Sequence, residues 1–247
     1  MIVQILVLFL VPLAAGLMIY FLPDGKGAKF KLLLVFAGAY LFAITVIHIL
    51  PELFEHAHGV KLIGVFVLIG FFLQQGLEYF TSGIEHGHIH VQGDGHHHKH
   101  TSAFVLLIAL CVHAFLEGGI LVHAEDSTVL YDMNAVLIGI ILHRAPAAFA
   151  LMAVLSIQLQ SRKKAIPYLV AFSLAAPAGL AISSYLTNIN ILNGMGLLYL
   201  YALVSGNFLH ISTTIVFESS PDHHFNARKL LIAILGAAVA VGVEYLT

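Results

Sequence analysis

Apolar residues come in long, nearly unbroken runs along this chain, and the polar residues gather between them. The runs cover about 2–22, 31–53, 61–81, 102–123, 130–156, 166–186, 192–216 and 228–246. Each approaches the roughly 20 residues needed to cross a bilayer. None shows the strict alternation of a half-buried strand. A segment in lipid must satisfy its own backbone groups, so each run predicts a membrane-spanning helix. The expected fold is an all-α polytopic membrane protein with eight spans. Connections are short apart from those near 82–101 and 217–227, so the chain reads as one transmembrane domain over 1–247. The N-terminus is apolar from Ile2 but has no basic lead and no small-residue cleavage site, which makes it a first span and not a removed signal.

Composition agrees. Of the 247 residues, 60% are hydrophobic and 10% charged, against about a quarter charged in a soluble domain. A formal net charge of −2 offers nothing to a nucleic acid. The single cysteine, Cys111, excludes an internal disulfide and a thiolate-rich metal site. Lysine and arginine orient the spans. Lys26, Lys29 and Lys31 follow span one, Lys99 follows span three, Arg162, Lys163 and Lys164 follow span five, and Arg228 and Lys229 follow span seven. Only Lys61 stands at an even-numbered connection, and Arg144 lies inside span five. The positive-inside rule places the odd connections in the cytoplasm and both termini outside; the expected location is a cell (plasma or inner) membrane.

Ionisable groups inside such spans need a reason, because each is costly at bilayer depth. Span two ends in His48-Ile-Leu-Pro-Glu52, and span three contains Glu78. Span four carries His113-Ala-Phe-Leu-Glu117-Gly, and span five His143-Arg144-Ala-Pro146. Span seven carries Asn207-Phe-Leu-His210. His113 and Glu117 are four apart, so one helical face presents both, a single turn from each other. Imidazole nitrogen and carboxylate oxygen both bind zinc at about 2.0–2.2 Å. His143 supplies a candidate third ligand. One buried histidine is ordinarily an internal hydrogen-bonder; three such groups in consecutive spans point to a metal ion. Pro146 and Pro177 each deprive a carbonyl four residues earlier, those of Leu142 and Ser173, of its helical donor. Interrupted helices of this kind commonly line central sites in transporters; a packing kink, common in membrane helices, is the plainer alternative.

The connection after span three holds His86, His88, His90, His96, His97, His98 and His100 among glycines. This is a low-complexity, metal-binding composition on the expected cytoplasmic side. Beyond span two lie His56 and His58, and beyond span four His123, Glu125 and Asp126. Ordinary solvated loop chemistry explains these last five as well as metal capture does.

Together these residues resemble the ZIP (Zrt-/Irt-like) metal-transporter family, over essentially the whole chain. His48-Ile-Leu-Pro-Glu52 resembles the family's His-x-x-Pro-Glu, and His113-Ala-Phe-Leu-Glu117-Gly118 its His-(Ser/Asn)-x-x-(Glu/Asp)-Gly. His143-Arg-Ala-Pro-Ala-Ala-Phe149 is similar to the His-Lys-Ala-Pro-Ala-Ala-Phe of one eukaryotic branch, and Ser205-Gly-Asn-Phe-Leu-His210 to Ser/Ala-Gly-Thr-Phe-Leu-Tyr. The resemblance implies a homodimer that is no enzyme and needs no cofactor. It implies that zinc or another divalent metal is the substrate, brought into the cytoplasm by alternating access. Spans one, four, five and six would carry the metal and move against spans two, three, seven and eight. His113, Glu117 and His143 would form the primary site. His48, Glu52, Glu78, Asn207 and His210 would be pathway or secondary metal residues.

The chain also departs from the pattern. Relatives with two adjacent metals have a second carboxylate where this chain has Ala147, asparagine where it has Ala114, and an acid where it has Arg144. The second metal position is therefore expected to be vacant, with the fixed charge of Arg144 in its place. Zn²⁺, Glu117 and Arg144 sum to about +2, so without another acid such as Glu52 or Glu78 binding should be weak and release easy. Two rival classes remain open. An intramembrane zinc hydrolase calls for His-Glu-x-x-His, but Ala114 follows His113 and no His-Glu pair occurs in a span. A non-transporting metal sensor is compatible with a single site.

Overall fold

The computed structural model of the chain describes residues 1–21, 27–55, 59–81, 102–122, 133–192, 194–218 and 227–246. All the regular secondary structure among these residues is helical, as expected. In order they form α1 (Ile2–Leu17) with a 3-10 turn (Met18–Tyr20), α2 (Gly27–Ile44), a π-helical stretch (Thr45–Ile49) leading into α3 (Leu50–Glu55), and α4 (Val60–Thr81). There follow α5 (Ala103–Gly119), α6 (Met133–Gln158), α7 (Arg162–Asn188), α8 (Gly194–Glu218) and α9 (Ala227–Leu246).

Among the described residues, six helical stretches are long and apolar enough to cross a membrane: Ile2–Tyr20, Leu32–Glu55, Val60–Thr81, Asn134–Gln158, Arg162–Asn188 and Gly194–Val216. The protein is therefore a multi-pass membrane protein. The two other expected spans differ for physical reasons. α5 has 17 residues, about 26 Å at 1.5 Å per residue. The apolar run there continues to Val122 without remaining helical, because Ile120, Leu121 and Val122 are buried and the Tyr201 hydroxyl donates to the Val122 carbonyl at 3.0 Å. α9 has 20 residues but carries Arg228 and Lys229 in its first turn and Glu244 near its end. The connection after span five is shorter than expected: α7 begins at Arg162, and Ser161 caps it by accepting from the Lys164 amide.

The helices sort into two sets. α1, α5, α6 and α7 share a core that includes Leu106, Leu110, Leu151, Leu169 and Phe172. In the other set α4 packs along α8, and α2 along α8 and α9; the sets meet where α2 touches α6 and α4 touches α5. Lipid is as apolar as leucine, so helix pairs in it are held by close backbone approach at small residues. A Cβ on Gly118 would lie 2.0 Å from the Ala176 carbonyl oxygen, and one on Gly179 2.0 Å from that of Phe115. α5 and α7 therefore touch backbone to backbone. Gly70 and Gly206 do the same for α4 and α8, against the carbonyls of Leu203 and Val67.

The π-helical stretch has a local cause. Pro51 has no amide hydrogen and its ring crowds the carbonyl of Ile47, so the regular bonding ladder cannot continue through that turn. The widened turn carries His48, and such turns recur at functional positions. By contrast α6 and α7 run on through Pro146 and Pro177. Each helix is continuous there, as a packing kink allows.

Candidate metal centre

The buried face of α5 carries Leu106, Ala109, Leu110, His113, Ala114, Glu117 and Gly118. The helical period thus turns His113 and Glu117 inward together, with His113 Nε2 3.1 Å from Glu117 Oε1. α6 brings His143 beside them. Its ring lies 5.8 Å from that of His113, centre to centre, at 89°. One ligand atom from each of His113, Glu117 and His143 lies within 4.8 Å of the others, and all three residues are buried. A single cation can reach all three. Two imidazoles and a carboxylate suit zinc and its first-row neighbours.

Arg144 enters from α6 and is itself buried. Its Nη1 lies 3.5 Å from Glu117 Oε2, the oxygen turned away from His113. Its Nη2 donates to the Phe172 carbonyl at 3.0 Å, and the guanidinium carbon stands 4.6 Å over the Phe172 ring. One carboxylate thus faces an imidazole with one oxygen and a fixed cation with the other. The carbonyl used comes from Phe172, next to the Ser173 carbonyl expected to be loosened by Pro177. No sequence pattern marks Phe172 for this.

The remaining candidates do not join this cluster. His48 Nδ1 lies 2.7 Å from Glu244 Oε1, and His48 Nε2 3.8 Å from Glu52 Oε2. His210 Nε2 lies 2.6 Å from Glu78 Oε2, and Asn207 is fully buried on α8. Glu52 and Glu78, the two acids named above as possible supplements to the central charge, face His48, shared with Glu244, and His210. Sequence reasoning missed Glu244. Its signal was available, since it is the sole acid in the last apolar run. The seven histidines between 82 and 101 lie outside the described residues, as do His56, His58, His123, Glu125 and Asp126.

Comparison with known proteins adds a family. A family model described as "Zip: ZIP Zinc transporter" matches residues 85–244, a stretch holding His113, Glu117, His143, Arg144 and Glu244. Zinc transporter ZIP9 of Micropogonias undulatus is 30% identical over 169 residues, covering 64% of this chain and 52% of that protein. Zinc transporter ZIP9-A of Xenopus laevis is 28% identical over 167 residues, covering 64% and 53%. The chain spans about half the length of the curated relatives it matches.

Proposed function

The chain belongs to the ZIP zinc transporter family, and from that premise we propose that it carries divalent metal, zinc foremost, into the cytoplasm through the His113–Glu117–His143 cluster. Members of this family are transporters and not enzymes. The observation that carries the proposal is the convergence of three buried ligand atoms from α5 and α6 to within 4.8 Å. Charged or ligating groups at membrane depth mark ion pathways.

In this reading the chain crosses the membrane eight times, α5 and α9 included, with both termini outside. The one-sided distribution of lysine and arginine supports that orientation. The set α1, α5, α6 and α7 carries the metal and rocks against α2, α4, α8 and α9, so that the cluster opens to either side in turn. His48 with Glu52, and Glu78 with Asn207 and His210, line the route. The histidines at 82–101 collect the released metal. The protein works as a homodimer, and the apolar outer faces of α4 and α9, with Leu68, Phe72 and Ile234 exposed, are available to lipid or to a second copy. Arg144 stands in for a second cation and weakens the hold of Glu117 on the first.

Two measurements test this. Zinc uptake into proteoliposomes should fall to the background rate in His143→Ala, since a third ligand is gone; equal uptake by variant and wild type would remove the cluster from the mechanism. Arg144→Ala should tighten zinc binding roughly tenfold or more, because a like charge a few ångströms from the ion is removed, while slowing turnover through slower release. An unchanged binding isotherm would show that the guanidinium exerts no electrostatic effect on the ion.

A further inference from the structure

The two helix sets share a core at one end of the bundle and keep separate cores at the other. Leu106, Leu155 and Leu169 belong to a core built, among the described residues, from α1, α5, α6, α7 and the turns that extend them. Leu34, Ile211 and Ile215 belong to another, built from α2, α8 and α9. Both lie towards the end where α2, α5 and α7 begin. Towards the opposite end a single core crosses between the sets, with Leu41, Leu53 and Leu198 in one cluster with Leu121, Val136 and Ile140.

Two tyrosine hydroxyls fasten that joined end. Tyr201 of α8 is buried and donates to the Val122 carbonyl at 3.0 Å. Tyr40 of α2 is buried and donates to the Ala135 carbonyl at 3.2 Å. Each bond runs from one set to the other. Val122 lies just past the end of α5, where carbonyls lack the regular helical donor, and Ala135 lies in the first turn of α6. Gly139, one turn further on, brings α6 against Tyr40, whose ring carbon would stand 3.2 Å from an added Cβ. The bonds therefore hold both helices that carry candidate ligands. Ala135 precedes His143 by about two turns, roughly 12 Å, so the joined end closes over the cluster from that side. Phenylalanine rings would fill the same space. The hydroxyls add one directed bond each across the joint, and a buried hydroxyl left without an acceptor is costly.

We infer that Tyr40 and Tyr201 latch this end of the bundle: the two sets part there only when both hydroxyls leave the carbonyls of Ala135 and Val122. That this end faces outward, and that its parting admits metal, rest on the transport reading; the latch itself does not. The test is the rate at which a charged thiol reagent labels the full chain in detergent. Cys111→Ser removes the native thiol, and Val136→Cys places a reporter in the joint, at a position 2% exposed. Tyr201→Phe, which loses only the bond to Val122 on the other ligand-bearing helix, should speed labelling about fivefold, the worth of one hydrogen bond. Adding Tyr40→Phe should multiply this to about 25-fold, because two separate bonds bias one equilibrium. A second reporter, Leu155→Cys in the unjoined core, should label at one rate in every background. Unchanged labelling of Val136→Cys in Tyr201→Phe would overturn the latch, as would an equal rise at Leu155→Cys, the sign of general loosening. Should Val136→Cys not fold, hydrogen exchange serves instead: Tyr40→Phe should quicken exchange of the amides of 120–122, and unchanged exchange there overturns the latch. Failure of the transport reading would show separately, as background zinc uptake by the unaltered chain whatever the labelling rates.

Discussion

Replacing Glu117 by glutamine is expected to abolish zinc uptake and to destabilise the protein by about 3–5 kcal/mol, the usual consequence of stranding one partner of a buried ion pair. Glutamine keeps the shape of the side chain and removes its charge. Glu117 Oε1 faces His113 Nε2 at 3.1 Å and Oε2 faces Arg144 at 3.5 Å, so one substitution takes away both the proposed ligand and a counterion. Arg144 would keep the Phe172 carbonyl and ring, which are neutral. The two losses separate experimentally. Adding Arg144→Met to Glu117→Gln removes the stranded cation and should recover most of the melting temperature, while uptake into proteoliposomes stays at background. Wild-type uptake by Glu117→Gln would put the carboxylate off the metal route. Failure of the double variant to regain stability would mean the ion pair is not what the single change breaks.

The second large effect concerns glycines with no chemistry of their own. Gly70→Ala and Gly118→Ala should each cost stability at or above the upper end of the roughly 1–3 kcal/mol usual for overpacking. The added carbon would lie 1.8 Å from the Leu203 oxygen and 2.0 Å from the Ala176 oxygen respectively. Both obstacles are backbone, so only the separation of helices relieves them. Gly118→Ala should also weaken zinc binding, because it pushes α5, with His113 and Glu117, away from α7, whose Phe172 carbonyl anchors Arg144. Gly76→Ala is the contrast, since nothing lies within 4 Å of its added carbon; there alanine should be neutral or favour the helix by up to about 1 kcal/mol. Thermal melting of the three variants in one detergent checks the ranking, and equal melting points would contradict it.

Much of the fold was legible because the bilayer imposes a length and forbids unsatisfied backbone. Where the reading slipped, apolarity and helicity parted company. Residues 120–122 extend the fourth run but close it as buried, non-helical backbone under Tyr201. Pro146 and Pro177 lie inside continuous helices, and a proline in the sequence does not by itself say whether a membrane helix breaks or only kinks. The pairing of Glu244 with His48 joins residues 196 apart in sequence, beyond anything a local pattern encodes.

The sequence by itself determined that this is a membrane-spanning helical chain, that His113 and Glu117 share one helical face, and that His143 and Arg144 are the costly residues of the next span. Those statements need only the period of the helix and the expense of polarity in lipid. Tertiary structure alone decided that His143 completes the group, that Arg144 divides Glu117 with His113 and anchors on Phe172, and which glycines are contacts. The reason is physical: lipid-facing and helix-facing surfaces are equally apolar, so hydropathy is silent about which helices touch. Backbone approach at Gly118 and Gly179 pairs α5 with α7, and at Gly70 and Gly206 α4 with α8; α6, packed along α7, sets His143 beside His113 and Glu117.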